Sequence, residues 1–242
     1  MKVALFIPCY IDQFYPKVGI ATLQLLEKLG CEVVFPQNQT CCGQPMANSG
    51  YEHITGDCTT LFQDNFDEFE YVVSPSGSCT LHVKEHIPLK WKIYELIEFI
   101  TDILKVESLE GEFKYKVGLH QSCHGQRGLK LSQMSELNAP FFSKPEQLLK
   151  NLKGLDLVNL DRKDECCGFG GTFCVAEEAV SVRMGQDRLA DHLKNGTEIL
   201  TGGDTSCLMH MEGIIRREKH NIKVMHIAEI LNQAITVPSS EG

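Results

Sequence analysis

Two adjacent cysteines followed by a glycine occur twice in this 242-residue chain, at Cys41-Cys42-Gly43 and at Cys166-Cys167-Gly168. Neighbouring side chains of a regular strand point to opposite faces, so two adjacent thiols serve one site only where the backbone turns. The glycine that follows makes such a turn easy. A tight turn also aligns backbone N–H groups that suit a negatively charged, sulfur-ligated centre. The motif therefore predicts a turn that binds a metal cluster in each half of the chain.

Single cysteines flank both copies of this motif in the same order. Cys9 precedes the first copy as Cys123 precedes the second, and Cys79 and Cys207 follow them. Each half therefore supplies four thiols, which is the number that an iron–sulfur cluster needs. The predicted metal ligands are Cys9, Cys41, Cys42, Cys79, Cys123, Cys166, Cys167 and Cys207.

The elements that must position these cysteines also repeat. Strands are predicted at 2–8, 32–35, 69–73, 115–120, 155–160 and 198–201. Helices are predicted at 16–29, 47–68, 91–104, 145–152, 176–195 and 227–235, and after Cys79 and Cys207. The segment Glu95-Leu96-Ile97-Glu98 matches His226-Ile227-Ala228-Glu229. The offset between matching segments grows along the chain, as a duplication with loop insertions predicts.

This alternation predicts an α/β protein of two duplicated lobes, residues 1–110 and 111–242. Each lobe is expected to hold a small parallel sheet flanked by helices. In such sheets ligands bind at the carboxyl ends of the strands. All eight repeated cysteines follow predicted strands, so we expect their sulfur atoms to gather at those ends.

The composition restricts the class of protein. A formal net charge of −9 argues against binding to nucleic acid or to an anionic membrane surface. The N-terminal segment lacks the apolar region and the cleavage site of a secretory signal. No apolar run approaches the length of a membrane span. We therefore expect a cytoplasmic protein without direct membrane insertion, which reaches the inner face of the membrane only through partners.

The remaining cysteines do not form a recognisable framework. The total of eleven is odd and no export signal is present, which argues against a disulfide scaffold. The absence of Cys-x-x-Cys excludes the thioredoxin motif, the zinc ribbon and the bacterial ferredoxin run. Cys31 and Cys58 lack counterparts in the repeat and are predicted to be buried, inert thiols. Cys174 follows Cys167 closely and is a candidate spare ligand.

Histidines accompany the last cysteine of each half. His82 follows Cys79 at Cys-x-x-His spacing, and His210 follows Cys207 in the same way. A set of cysteines and histidines could hold zinc. Alternatively, each histidine donates a hydrogen bond to a sulfur atom, an interpretation favoured because four thiolates in each half already suffice. His124, next to Cys123, is a candidate for the same supporting role.

Two other features suggest ligands. The segment Gly168-Phe169-Gly170-Gly171 looks like a nucleotide-binding loop, but Phe173 stands where the third glycine of that motif belongs. Close approach of the backbone to a cluster explains these glycines better. Arg127 and Arg183 could hold a carboxylate substrate through a bidentate pair of hydrogen bonds.

The repeated cysteine motif resembles the cysteine-rich, or CCG-domain, family of iron–sulfur proteins. That family includes the cysteine-rich component of heterodisulfide reductase and the iron–sulfur components of glycolate oxidase and of anaerobic glycerol-3-phosphate dehydrogenase. The segments most similar to its lactate utilisation A branch are 7–12, 42–45, 167–173 and 203–208. The resemblance covers essentially the whole chain.

The resemblance implies an NAD-independent oxidoreductase complex that oxidises L-lactate to pyruvate. This chain would be its iron–sulfur electron-transfer subunit, with one or two clusters of the [4Fe-4S] type. Its partners would be a ferredoxin-like iron–sulfur protein and a third small subunit. The alternatives are a subunit like that of glycolate or glycerol-3-phosphate dehydrogenase, a disulfide-cleaving enzyme like heterodisulfide reductase, and a structural module that binds zinc.

One departure from the family bears on the cluster type. In heterodisulfide reductase each domain ends its motif with Cys-x-x-Cys, whereas Ser76 and Asp204 stand at the first of these positions here. The loss of one sulfur argues against the unusual non-cubane cluster of that enzyme. It favours a conventional [4Fe-4S] centre or a cluster with an open or oxygen-ligated iron. Asp204, His82 and His210 are therefore further candidate metal ligands.

Overall fold

Each half of the chain folds around a parallel sheet. In the computed structural model, which describes residues 1–235, the strands are β1 (Lys2–Leu5), β2 (Glu32–Val34), β3 (Tyr71–Ser74), β4 (Lys92–Glu95), β5 (Lys116–Leu119), β6 (Asp156–Leu157), β7 (Ile199–Gly202) and β8 (Lys223–His226). They form two four-stranded sheets with the orders β2-β1-β3-β4 and β6-β5-β7-β8. All pairings between these strands are parallel. The predicted α/β class with a duplicated small parallel sheet is therefore confirmed.

Helices cover both faces of the sheets. They are α1 (Cys9–Phe14), α2 (Pro16–Lys28), α3 (Gln44–Asn48), α4 (Gly56–Phe66), α5 (Gly77–His86), α6 (Leu96–Glu98), α7 (Lys144–Lys150), α8 (Phe173–Ala176), α9 (Glu178–Lys194), α10 (Thr205–Glu218) and α11 (Ile227–Ala234). A 3₁₀-helix spans Glu52–Ile54, and π-helical turns span Phe99–Ile103 and His124–Gly128. No helix within residues 1–235 combines the length and the apolar character that a membrane span requires.

The fourth strand of each sheet differs from the sequence prediction. The pattern predicts a helix over 91–104, but the chain first forms β4 and turns into α6 only at Leu96. The Glu95 carboxylate accepts hydrogen bonds from the backbone N–H groups of Ile97 and Glu98, and Glu98 accepts one from the backbone of Glu95. This capping box starts a helix directly after a strand. His226 and Glu229 form the same box after β8, which explains the sequence match between the two segments.

Smaller differences concern the lengths of elements. The helix predicted over 47–68 is broken into α3, a 3₁₀-helix and α4, which begins only at Gly56. The strand predicted over 155–160 shrinks to two residues, β6. The predicted lobe boundary near residue 110 remains a prediction, and residues 236–242 of the predicted second lobe lie outside the described part of the chain.

One hydrophobic core runs through both halves. Buried side chains of the first half, such as Leu25 and Phe99, belong to the same cluster as Val117 and Leu231 of the second half. Helix α11 packs against α2, and α6 packs against α7. Hydrogen bonds reinforce the first contact, since Asn232 donates to the side chain of Gln24 over 2.8 Å. The end of each half therefore covers the beginning of the other.

Glu95 makes the stability of this arrangement depend on pH. Its side chain is fully buried, and burial raises the pKa of the carboxyl from its ordinary value of 4.5 to about 8. The folded protein holds this proton more tightly than the unfolded chain. The stability it contributes is therefore complete below pH 4.5 and is lost as the pH rises through 8. Each pH unit between these values corresponds to about 1.4 kcal/mol.

We expect Glu95→Gln to remove this dependence, because the amide carries no charge at any pH. Wild type should lose a few kcal/mol of unfolding free energy between about pH 5 and pH 8 relative to the variant. Urea unfolding at several pH values measures this difference. Glu110→Gln, at an exposed position, should follow the wild-type curve. A Glu95→Gln curve parallel to wild type would contradict the assignment.

Candidate metal centre

All eight repeated cysteines line one cavity between the two halves of the chain. The cavity has a volume of about 440 Å³. Its sulfur-bearing residues are Cys9, Cys41, Cys42, Cys79, Cys123, Cys166, Cys167 and Cys207. Cys31, Cys58 and Cys174 are not part of its lining. The cysteines that occur in both repeats thus line the cavity, and those without a counterpart in the repeat do not.

The ends of parallel strands and the starts of helices deliver these sulfur atoms. Cys9 follows β1 and begins α1, and Cys123 lies in the corresponding place after β5. Cys79 lies in the first turn of α5, and Cys207 lies in the first turn of α10. The N-terminus of a helix carries a partial positive charge, which stabilises a thiolate.

The Cys-Cys-Gly turn has the same geometry in both lobes. Gly43 has a φ of +90° and Gly168 has a φ of +87°. Each glycine donates its backbone N–H to the sulfur of the first cysteine of its turn, Cys41 or Cys166, over 3.4 Å. The left-handed backbone and the N–H···S bond are what the sequence motif predicted.

The sulfur atoms of one lobe influence one another strongly. The sulfur of Cys9 lies 3.8 Å from that of Cys41. Hydrogen bonds with Cys42 and Cys9 lower the pKa of Cys41, whereas the bonds to Cys41 raise the pKa of Cys9 and Cys42. Thiols this close cannot all ionise unless a cation compensates their charge. The second lobe repeats the pattern at Cys166, Cys123 and Cys167.

Both turns should be sensitive to a side chain at their glycine, but to different degrees. At Gly168 a Cβ would lie 2.6 Å from the carbonyl oxygen of Ser181 and 2.7 Å from the Cβ of Met184. At Gly43 the nearest atom would be the Cβ of Thr55, at 3.2 Å. Only the second lobe therefore has a backbone clash, with α9, in addition to the strain of a left-handed residue.

We expect Gly168→Ala to lower the unfolding free energy by about 3 kcal/mol and Gly43→Ala to lower it by about 1 to 2 kcal/mol. Gly168→Ala should also reduce the metal bound by the second lobe, whereas Gly43→Ala should retain most of the metal of the first. Urea unfolding and metal analysis of both variants measure these effects. Equal losses in the two variants would contradict the assigned contacts.

The histidines of the two Cys-x-x-His segments contact the turn backbone. His82 lies beside the backbone of Cys42, and its ring stacks on His86 with centroids 4.6 Å apart. His210 contacts the carbonyls of Ser181 and Cys167. Neither ring belongs to the cavity lining. Both rings thus lie next to a Cys-Cys-Gly turn, and metal ligation by them stays a prediction.

The aspartate predicted as an oxygen ligand connects the two lobes. Asp204 accepts a 2.8 Å hydrogen bond from the backbone N–H of Ser78 and bonds from the hydroxyl groups of Ser78 and Ser206. Its counterpart Ser76 accepts from the backbone N–H of Cys79 at the start of α5. Both side chains line the cavity. Ligation of metal by Asp204 stays a prediction, while its part in joining the lobes is visible.

One cavity residue was not among the predicted ones. A ring nitrogen of His120 lies within 4.8 Å of the sulfur atoms of Cys167 and Cys207. The side chain is buried, and burial together with the charge of Arg188 lowers the pKa of His120 to about 3. The sequence distinguishes His120 only by comparison between the two repeats. It lies three residues before Cys123, whereas Phe6 occupies the matching place three residues before Cys9.

The remaining candidates lie at the edge of the cavity or on the surface. His124, Gly170 and Gly171 line the cavity. Arg127 and Arg183, the predicted carboxylate holders, form surface ion pairs with Glu136 and Asp187. Neither arginine belongs to the cavity lining.

Comparison with known proteins agrees with this architecture. The sequence model of a family described as "Cysteine-rich domain" matches residues 3–84 and again 117–212. The chain is 43% identical to "Lactate utilization protein A" of Bacillus subtilis (strain 168), covering 96% of this chain and 99% of that protein. It is 41% identical to the protein of the same name from Exiguobacterium sp., covering 97% and 98%. Among solved structures, glutamate racemase from Aquifex pyrophilus overlaps 96% of this chain and 81% of its own at 13% identity, with a TM-score of 0.38 that is too low to indicate a common fold.

Proposed function

Because the chain belongs to the cysteine-rich domain family and, within it, to the lactate utilization A proteins, we propose that it is the iron–sulfur electron-transfer subunit of a complex that oxidises L-lactate to pyruvate. A role in lactate utilisation follows from relatives that match nearly the full length of the chain. The assignment of electron transfer rests on the chemistry of the cavity.

The observation that carries the proposal is the gathering of eight thiols at one cavity. Four come from each lobe, and four thiolates are the set that holds a [4Fe-4S] cluster. The thiols are so crowded that those of one lobe can all ionise only beside a compensating cation, and helix N-termini and glycine N–H groups support their negative charge. Such a cluster supplies one-electron transfer when bound. The residues present therefore fit this group.

The arrangement suits the oxidation of a hydroxy acid. Conversion of the CH–OH carbon of lactate to a ketone releases two electrons and two protons. Two four-cysteine sites that face one cavity offer one place for each electron. Residues 169–171 of the glycine-rich segment form part of the cavity wall, and the segment lacks the pattern of a dinucleotide-binding loop, so we propose an NAD-independent reaction.

The electrons must leave through partner proteins. We propose a ferredoxin-like iron–sulfur protein and a third small subunit as these partners, and any contact with the inner face of the membrane would come through them. A tagged chain isolated without oxygen should bring both proteins with it in fixed ratio. Isolation of the tagged chain alone, with full metal content, would contradict this part of the proposal.

Zinc is the second candidate, and one observation favours it. His120, Cys167 and Cys207 place one nitrogen and two sulfur atoms within 4.8 Å of one another, and zinc binds such sets. A zinc module would use these residues structurally and carry no electrons. This alternative leaves the other cysteines of the second lobe without a role.

Purification without oxygen tests the proposal directly. We expect a brown protein with about four iron and four sulfide per occupied lobe, and a paramagnetic signal after reduction. A colourless protein with stoichiometric zinc would overturn the proposal in favour of the structural module. Cleavage of a disulfide substrate by the isolated chain would instead support the activity of the heterodisulfide reductase branch.

A further inference from the structure

The two cysteine sites differ in the side chains behind them. Behind the first site Phe6 packs edge-on against Phe62 and Phe66 of α4, with ring centroids 4.8 and 5.7 Å apart. This wall is apolar and includes Cys42. Behind the second site the matching residue is His120, which contacts Arg188 of α9. An aromatic cluster in one lobe is therefore replaced by a buried polar pair in the other.

The hydrogen bonds of Arg188 assign the proton on His120. The Nε–H group of Arg188 points at Nδ1 of His120 over 3.3 Å, so Nδ1 accepts. A neutral imidazole that accepts at Nδ1 carries its hydrogen on Nε2. Among residues 1–235 no atom accepts a hydrogen bond from this Nε2, although it is buried. It is therefore a donor without an acceptor in that part of the chain, on a ring adjacent to Cys167 and Cys207.

Arg188 is fixed in place by the rest of its guanidinium group. It donates to the carbonyl oxygen of Arg162 over 2.5 Å and to the carboxylate of Asp191 over 3.2 Å. The side chain is 0% exposed. A buried cation held this rigidly keeps the His120 ring in a single orientation. The charge of Arg188 is paired with the Asp191 carboxylate, so its contribution to the second site is to orient the ring and to leave the hydrogen on Nε2. The Phe6 wall of the first site consists of aromatic rings and offers no such donor.

We infer that His120 donates an Nε2–H···S hydrogen bond to the second-lobe centre and that His120 and Arg188 together give this centre a higher reduction potential than the first-lobe centre. The inference rests on the proposed iron–sulfur function. A hydrogen bond donated to sulfur stabilises the reduced state, which carries one more electron. The apolar wall of Phe6 offers no such donor. An electron entering the pair of centres would therefore reside mainly in the second lobe.

The test measures each centre alone, by anaerobic redox titration followed by paramagnetic resonance. Cys42→Ser leaves the second-lobe centre for measurement, and Cys167→Ser leaves the first. Adding His120→Phe, which copies the first lobe, should shift the oxidised-to-reduced ratio of the second-lobe centre about tenfold toward oxidised. This is about 59 mV for a one-electron couple. The first-lobe centre should not respond.

Matched variants separate tuning from folding. His120→Gln keeps an N–H donor and should restore most of the potential, whereas Arg188→Leu should lower it. His192→Phe alters another buried histidine that is not part of the cavity lining, so it should change stability without moving the potential. If His120→Phe does not bind its cluster, the reduction potentials of His120→Gln and Arg188→Leu are compared instead. The inference then requires a potential near that of wild type in His120→Gln and a lower one in Arg188→Leu.

Two results would overturn the inference. One is an unmoved potential of the second-lobe centre at normal iron content, and the other is an equal shift in both lobes. Either would leave the proposed function standing. Absence of iron and sulfide from the wild-type chain would instead remove the proposed function together with this inference.

Discussion

Cys42→Ser and Cys167→Ser should each remove about half of the bound iron, whereas Cys58→Ser should leave the iron content unchanged. Cys42 and Cys167 are the most buried sulfur ligands of their lobes, at 3% and 2% exposure, and each belongs to one set of four thiols. A hydroxyl is a much weaker ligand for iron in such a cluster than a thiolate. Iron and sulfide analysis of anaerobically purified protein measures the loss.

The cysteine variants also distinguish one shared centre from two. Cys58 is half-buried and lies outside the cavity lining, so its variant controls for the general effect of replacing a thiol by a hydroxyl. Equal loss in all three variants would refute the division of the cysteines by the repeat. Complete loss in both Cys42→Ser and Cys167→Ser would show that a single centre spans the lobes, whereas complete loss in only one of them would show that only that lobe is occupied. Because metal binding and folding are coupled, both ligand variants should also unfold more easily.

Asp191→Leu should have the largest effect on stability outside the cysteine sites, about 3 to 5 kcal/mol. The Asp191 carboxylate is buried and accepts bonds from Arg188, from the backbone N–H groups of Asp161 and Arg162, and from Asn195. Leucine would leave the buried guanidinium of Arg188 uncompensated. It would also release the loop that leads into Cys166. Guanidinium chloride unfolding measures the loss of free energy.

Asp187 provides the control for this variant. It lies one turn earlier on α9, and its carboxylate forms a 3.0 Å ion pair with Arg183 at the surface. Surface ion pairs contribute little, so Asp187→Leu should change the unfolding free energy by about 0.5 kcal/mol or less. The loss of unfolding free energy in Asp191→Asn should lie between those of Asp187→Leu and Asp191→Leu, because the amide keeps a hydrogen-bond acceptor but not the charge. Similar losses from Asp187→Leu and Asp191→Leu would contradict the role assigned to Asp191.

The repeat made the cysteines predictable, but not their meeting at one cavity. Periodicity and strand ends indicate where Cys9 and Cys123 lie within their own lobes. Whether the two sets face each other depends on contacts between distant segments, such as α11 against α2, which no local pattern reports. The resemblance to the cysteine-rich domain family is confirmed, and the ligand roles of the individual cysteines stay predictions.

The burial of charged side chains was the least predictable feature of the fold. Arg188 and Asp191 are spaced like a surface ion pair on a helix, so their burial depends on what packs against them. The strands β4 and β8 escape prediction because each turns into a helix without an intervening loop. His120 lacked a signal of its own, since only its comparison with Phe6 distinguishes it from an ordinary buried histidine.

The terminal helix of each half packs on the other half, α11 on α2 and α6 on α7, as in an intertwined dimer, but here both halves belong to one polypeptide. In a true homodimer every substitution occurs twice, so both sites stay identical. Two halves on one chain are free of that obligation. A phenylalanine in one half and a histidine in the other can then coexist in the same molecule. Electron transfer between the two sites would then have a preferred direction, which two identical subunits could not provide.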